Sequence, residues 1–200
     1  MQTDSSLGTS FIIYETQAGT GYITQATNIT TPPTTASKFA VGCKVVDTVL
    51  GITYVNSGTV AVPIWDTEIL SKTLSVTAAQ IISNYTTSLE VIPAVPGKAI
   101  ILDSFEFDLT GTATQFTGGG VVNLQYKDTA NGAGTTLHAD IAATVITGAT
   151  ARVITKRIPK DLSAVATADI VGVGVYLGTK TAVFAAGTGT AVLKVKYHLI

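Results

Sequence analysis

The 200-residue sequence predicts an all-β fold: an antiparallel jelly-roll β-sandwich preceded by an extended N-terminal arm and a small β-hairpin module. Three observations predict it. From Leu74 onward, seven or eight strand-length segments rich in Thr, Val, Ile and Ala alternate with turn signals, the pattern of a two-sheet antiparallel domain. Only one short segment carries a helical signal. Apolar residues make up 46% of the chain and charged ones 12%, enough to fill a sizeable core. The same count of strands also fits an immunoglobulin-like sandwich.

Residues 1–70 read as an arm followed by a docking module, and residues 71–200 as the sandwich. The first 38 residues are rich in Thr, Ser, Gln and Asn, with Phe11, Tyr14 and Tyr22 spaced among them. Pro32-Pro33 blocks helix and favours an extended path. Strands are expected at 39–46, 51–55 and 59–64, the last two joined by a tight turn at Val55-Asn56-Ser57-Gly58. Pro63 and Trp65 close this unit, which is too small for a strong core of its own and needs a neighbour.

Within 71–200, Thr77 and Gln80 have capping-box spacing ahead of Ile81 and Ile82. Leu89–Val95 ends at the Pro96-Gly97 turn. In Lys98–Thr110, strict alternation puts Ile101, Asp103, Phe105, Phe107 and Leu109 on one face, and Leu102, Ser104, Glu106 and Asp108 on the other. Val122, Leu124 and Tyr126 alternate in the next strand, and further strands are expected at 135–141, 152–158 and 170–177. In the last of these, Gly172 and Gly174 share a face, leaving space for large cross-sheet neighbours or for close approach of another subunit. The final strand, from Thr190, turns Ala191, Leu193, Val195, Tyr197 and Leu199 one way, and Lys194, Lys196 and His198 the other.

Reactive chemistry is sparse. The chain holds two histidines, one cysteine and one tryptophan, and lacks a nucleophile elbow, a phosphate-binding loop, a dinucleotide fingerprint and zinc spacing. Gly118-Gly-Gly precedes a strand rather than a helix and reads as a loop. His138 and Asp140 would share a strand face without a third ligand, and read as an exposed polar face. Alternation separates Asp103 from Glu106 and Asp108, which weakens a calcium cluster. Trp65 with Asp66 and Glu68 is the one local composition suited to a sugar platform, and packing of the N-terminal unit is its simpler role. No catalytic residue, metal site or cofactor is expected, and the chain reads as a non-enzyme.

The formal charge of −1 gives no long-range field, and Lys156, Arg157 and Lys160 read as a solvated loop end, so no nucleic-acid partner is expected. No segment approaches the roughly 20 apolar residues of a membrane helix, so no membrane partner is expected either. Mean hydropathy of +0.42 is high for a monomer and points to surface buried between subunits. The single Cys43 forms no intramolecular disulfide, and the N-terminal residues lack a signal-peptide pattern, in keeping with synthesis in a reducing cytoplasm.

Leu74-Ser-Val-Thr-Ala-Ala-Gln-Ile-Ile, continuing through the Pro96-Gly97 turn into the Lys98-Ala-Ile-Ile-Leu-Asp-Ser strand, resembles a segment of tailed-bacteriophage virion proteins. Phe116-Thr-Gly-Gly-Gly-Val-Val-Asn-Leu-Gln-Tyr is similar to its continuation. Gly51-Ile-Thr-Tyr-Val-Asn-Ser-Gly-Thr-Val-Ala-Val-Pro-Ile-Trp resembles a short module of phage head-associated proteins. The resemblance covers about two thirds of the chain and rests on structural motifs. It implies a capsid decoration (cement) or head-fibre protein: a homotrimer on the outer capsid surface of the virion, made in the host cytoplasm and partnered by the major capsid protein. The N-terminal region is then the docking part, with Phe11, Tyr14, Tyr22 and Trp65 as candidate contacts. The alternative is a receptor- or glycan-binding tip domain of a phage tail or baseplate.

Overall fold

The structure, a computed structural model, describes residues 2–4, 11–28, 36–49, 52–111, 114–149, 151–157, 159–162 and 165–200. Among these residues it is all-β, with two short α-helices, and the chain divides into two units, Met1–Glu68 and Ile69–Ile200.

The first unit is a six-stranded sheet of β1 (Gln2–Asp4), β2 (Phe11–Thr16), β3 (Ile23–Asn28), β4 (Phe39–Asp47), β5 (Ile52–Asn56) and β6 (Trp65–Thr67), paired in sequence order. Every pairing is antiparallel except β3 with β4. This corrects the expected arm. Its segments 2–4, 11–16 and 23–28 form strands, because their Thr and Ile are β-branched and strand pairing draws on backbone groups that a polar composition does not disturb. Pro32-Pro33 lies outside the described residues. The unit also has its own core: Ile23, Ala26, Phe39, Cys43 and Val45 are buried together, with Ile13 and Trp65 packed against them. Burial pushes the Cys43 thiol up to about 12, so it stays protonated as a small apolar filler.

The second unit begins with β7 (Leu70–Val76) and α1 (Ala78–Ser83). The capping box forms as expected: Gln80 N–H donates to Thr77 Oγ1 at 3.2 Å, and Thr77 N–H donates to Gln80 Oε1 at 2.8 Å. There follow β8 (Leu89–Ile92), β9 (Ile100–Leu109), β10 (Thr117–Gly118), β11 (Val122–Tyr126), α2 (Ala143–Thr147), β12 (Val153–Arg157), β13 (Val175–Thr179), β14 (Phe184–Ala185) and β15 (Ala191–Leu199). One sheet has the order β12-β9-β15-β7, another β11-β13-β8, and β10 pairs with β14; all these pairings are antiparallel. The last strand is tied at its end, where Ala99 and Ile200 exchange backbone hydrogen bonds at 3.0 and 3.1 Å.

Alternation holds along β15, where Ala191, Leu193, Val195 and Leu199 are buried while Lys194 and Lys196 are exposed. Along β9 it breaks. Lys196 stands opposite Ser104 but Tyr197 opposite Leu102, so Asp103 is an extra residue, a β-bulge. Ile100 and Leu102 therefore point inward in the first half, and Phe105, Phe107 and Leu109 in the second. Strict alternation put Leu102 on the opposite face from Phe105. The bulge corrects this, because one inserted residue reverses the phase of everything on one side of it.

The expected strand at 135–141 is instead a segment held by single bridges, Gln125 with Thr136 and Val122 with Ile141. At the expected strand 170–177, regular pairing starts only at Val175. Gly172 turns the chain with φ +68°, and a Cβ on Gly174 would lie 2.9 Å from the Ile92 carbonyl oxygen. The close approach there is to β8 backbone of the same chain.

Two buried polar side chains join the sheets. The Tyr126 hydroxyl of β11 donates to the Ile100 carbonyl of β9. His138 is fully buried, its ring stacked on Phe105 of β9 with centroids 4.4 Å apart and planes 12° from parallel. The Leu124 N–H of β11 donates to its Nε2 at 3.0 Å, and its Nδ1 lies 2.7 Å from the Ala139 carbonyl. Nε2 accepts and Nδ1–H donates, which specifies the neutral Nδ1–H tautomer. His138 is thus a core residue, not the exposed strand residue the sequence suggested.

Burial lowers the His138 pKa from 6.5, aided by the charges of Arg157 and Lys160 and opposed by the Ala139 carbonyl and Asp140. A second proton would also displace the Leu124 bond. Because the folded state disfavours the proton, this contribution to stability is complete above pH 6.5 and declines as pH falls from 6.5 through the folded value. Urea unfolding monitored against pH should show a falling midpoint below pH 6.5, and His138→Phe should flatten that part of the profile. An unchanged profile in the variant would exclude His138 as its source.

Candidate functional site

Two surfaces carry the groups available for function, one in each unit. In the first unit the organising residue is Asn56, at the end of β5. It is fully buried, and its amide NH₂ donates to the carbonyls of Phe39 at 3.3 Å and Ala40 at 3.0 Å. Its Oδ1 accepts from the N–H of Gly58 and of Ile64, both at 3.1 Å. One side chain therefore closes both ends of the 57–64 loop and fastens it to the start of β4. Thr59 N–H bonds the Val62 carbonyl at 3.0 Å and Ser57 N–H the Ile64 carbonyl at 2.8 Å. The expected strand at 59–64 is consequently an ordered loop, and β5 pairs with β6 beyond it.

This loop holds apolar side chains in solvent. Val62 is 64% exposed and Ile64 56%, and Val41, just past the β4 carbonyls that Asn56 grips, is 65% exposed. The aromatic candidates lie elsewhere. Trp65 is partly buried, edge-on to Phe39 with centroids 5.3 Å apart, in the unit's own core. Glu68 is engaged by Lys44 at 2.6 Å, so Trp65, Asp66 and Glu68 do not assemble a sugar platform. Tyr22 is half-buried at the β2–β3 turn, where Gln17 N–H bonds its carbonyl at 2.7 Å. Phe11 and Tyr14 are on β2, Tyr14 at a register shift; their side chains lie outside the described residues. The sequence signal for the loop was Asn56 itself, whose turn composition was legible while its burial was not.

In the second unit the outer face of the four-stranded sheet carries a ladder of charge. The three carboxylates weighed as a calcium cluster each have a separate basic partner. Asp103, displaced by the bulge, faces His198 Nδ1 at 3.1 Å. Glu106 receives Lys194 Nζ at 2.8 Å and Lys156 Nζ at 3.3 Å. Asp108 accepts a fork from Arg152, Nε at 2.7 Å and Nη2 at 2.5 Å. Hydrogen bonds from Lys194 and Lys156 lower the Glu106 pKa, and those from Arg152 lower that of Asp108. His138 and Asp140 do not converge: Asp140 pairs with Lys180 at 3.2 Å while His138 is in the core. Among the described residues, no group of three or more His, Cys, Asp or Glu is placed to hold a metal.

No family model matches this chain, and no curated protein or solved structure matches it either.

Replacing Asn56 by Ala would strip partners from two buried carbonyls and two N–H groups at once. An Asn56→Ala variant should lose about 3 kcal/mol, given that an unsatisfied buried group costs about 1–3 kcal/mol. Hydrogen exchange at Gly58 and Ile64 should accelerate to match. Unchanged exchange there would contradict the bracing role.

Proposed function

We propose that the chain is a structural virion protein that decorates and stabilises the outside of a bacteriophage capsid. In this reading it binds the major capsid protein through its N-terminal unit and trimerises through the sandwich, whose winding is that of a jelly roll. One observation carries the reading. Val41, Val62 and Ile64 stand in solvent at one end of the first unit's sheet, two of them on a loop that Asn56 holds rigid. Exposed apolar side chains on a braced loop favour a protein partner, since ordering costs are already met before binding.

The carboxylates Asp103, Glu106 and Asp108 are each met by a basic side chain, which suits a surface under mechanical load. A shell component needs only modest contacts, because a trimer on a symmetric lattice multiplies them. The two edge strands of the four-stranded sheet carry Lys72 on β7, and Lys156 and Arg157 on β12. Charges at such edges oppose indiscriminate strand addition. Trimer contacts are therefore assigned to sheet faces and loops. The receptor- or glycan-binding alternative draws less support, because Trp65 is used in packing.

Co-sedimentation with shells assembled from the major capsid protein tests the proposal. The unaltered protein should pellet with shells. Val62→Lys and Ile64→Lys, both at exposed positions, should weaken retention by roughly tenfold, a change of about 1.4 kcal/mol, with the trimer intact by light scattering. Equal retention of the variants would refute docking through this loop.

A further inference from the structure

On the outer face of the four-stranded sheet, Lys196 and the hydroxyls beside it have no side-chain partner among the described residues. Strand register places Lys156, Glu106, Lys194 and Thr73 in one row across β12, β9, β15 and β7. The next row holds Ser104, Lys196 and Ser71. In the first row one carboxylate serves two lysines. In the second, Lys196 has no ion pair among the described residues and is flanked by two serine hydroxyls. A shallow basin of about 370 Å³ lies over these rows, lined by Ser71, Thr73, Ser104, Glu106, Lys156, Lys194 and Lys196. Lys72 and Arg157 line the basin as well, but they stand in register with Val195 and Phe105, whose side chains are in the core, and so alternate with the outward-facing rows.

The charges do not balance. Three ammonium groups face one carboxylate, and the neighbouring acids are already held, Asp108 by Arg152 and Asp103 by His198. The bulge matters here. By adding Asp103 to β9 it brings that carboxylate to His198 and leaves Ser104, a neutral donor, opposite Lys196. Ammonium groups and hydroxyls converging on one concavity supply donors of the kind that an oxyanion accepts.

We propose that this basin is an oxyanion-binding site for a sulfate or phosphate group, either free or carried on a polysaccharide. Lys196 and Lys194 supply charge, and Ser104, Ser71 and Thr73 supply hydroxyl donors. Glu106 pre-positions Lys194 and competes with the ligand for it. The proposal stands independently of the capsid role.

The test is a titration of the full chain, followed by amide NMR, with sodium sulfate, inorganic phosphate and heparin at constant ionic strength. Saturable shifts at Ser71, Ser104, Lys194 and Lys196 are expected. Lys196→Gln should weaken binding about fivefold, the scale of one exposed charge contact. Glu106→Gln should tighten it by a similar factor, a direction that mere loss of structure does not produce. Saturation by free sulfate or phosphate with no added affinity for heparin supports a small-ion ligand. Much tighter heparin binding at the same amides supports a polymer-borne group. Absence of saturable shifts at these amides with all three probes overturns the proposal, as does an unchanged affinity in Lys196→Gln with its spectrum otherwise intact.

Discussion

The sandwich of residues 69–200 depends on an imidazole with no access to water. His138 is fully buried between β9 and β11, and both of its nitrogens are spent on backbone groups. That arrangement exists only for the neutral ring in one tautomer. Its face covers Phe105, and its Nε2 takes up the Leu124 N–H, so one residue supplies packing to one sheet and hydrogen bonding to the other. The Tyr126 hydroxyl repeats the device from β11 to the Ile100 carbonyl. Burial pushes that phenol up to about 12, keeping it protonated and a donor at any ordinary pH. A buried polar group without a partner is costly, so these contacts fix the register between the sheets more tightly than apolar packing alone.

Asn56 plays the corresponding part in the first unit, where it converts an eight-residue connection, 57–64, into a braced loop. The bulge at Asp103 acts on the other side of the sandwich. It reverses which residues of β9 face inward and so determines which acids meet which cations outside. Core and surface are coupled by a single inserted residue.

Much of the fold was legible in sequence. The capping box at Thr77 and Gln80 is local, so spacing alone identifies it. The alternation of β15 is unbroken, and its faces follow directly. The bulge was hidden because Asp103-Ser104 carries no distinctive signal, while a phase reversal depends on the partner strand. The arm was misread because polar composition says little about backbone pairing, and segments 11–16 and 23–28 are strands of a sheet. His138 was misread because Leu137-His138-Ala139-Asp140 alternates like a surface strand; its burial comes from Phe105, thirty-three residues earlier in sequence. For the candidate surfaces, the turn residues at 55–58 and the lysines of β15 were visible, but their grouping requires the register.

We propose that a braced, apolar loop on one unit and a rigid sandwich in the other serve together to clothe a phage head. Cryo-electron microscopy of purified virions from its source, with the protein labelled, tests that claim most directly. Regular density on the outer capsid surface, repeated at symmetry positions as trimers, is the predicted result. Density confined to the tail tip, or absence from the particle, would contradict it.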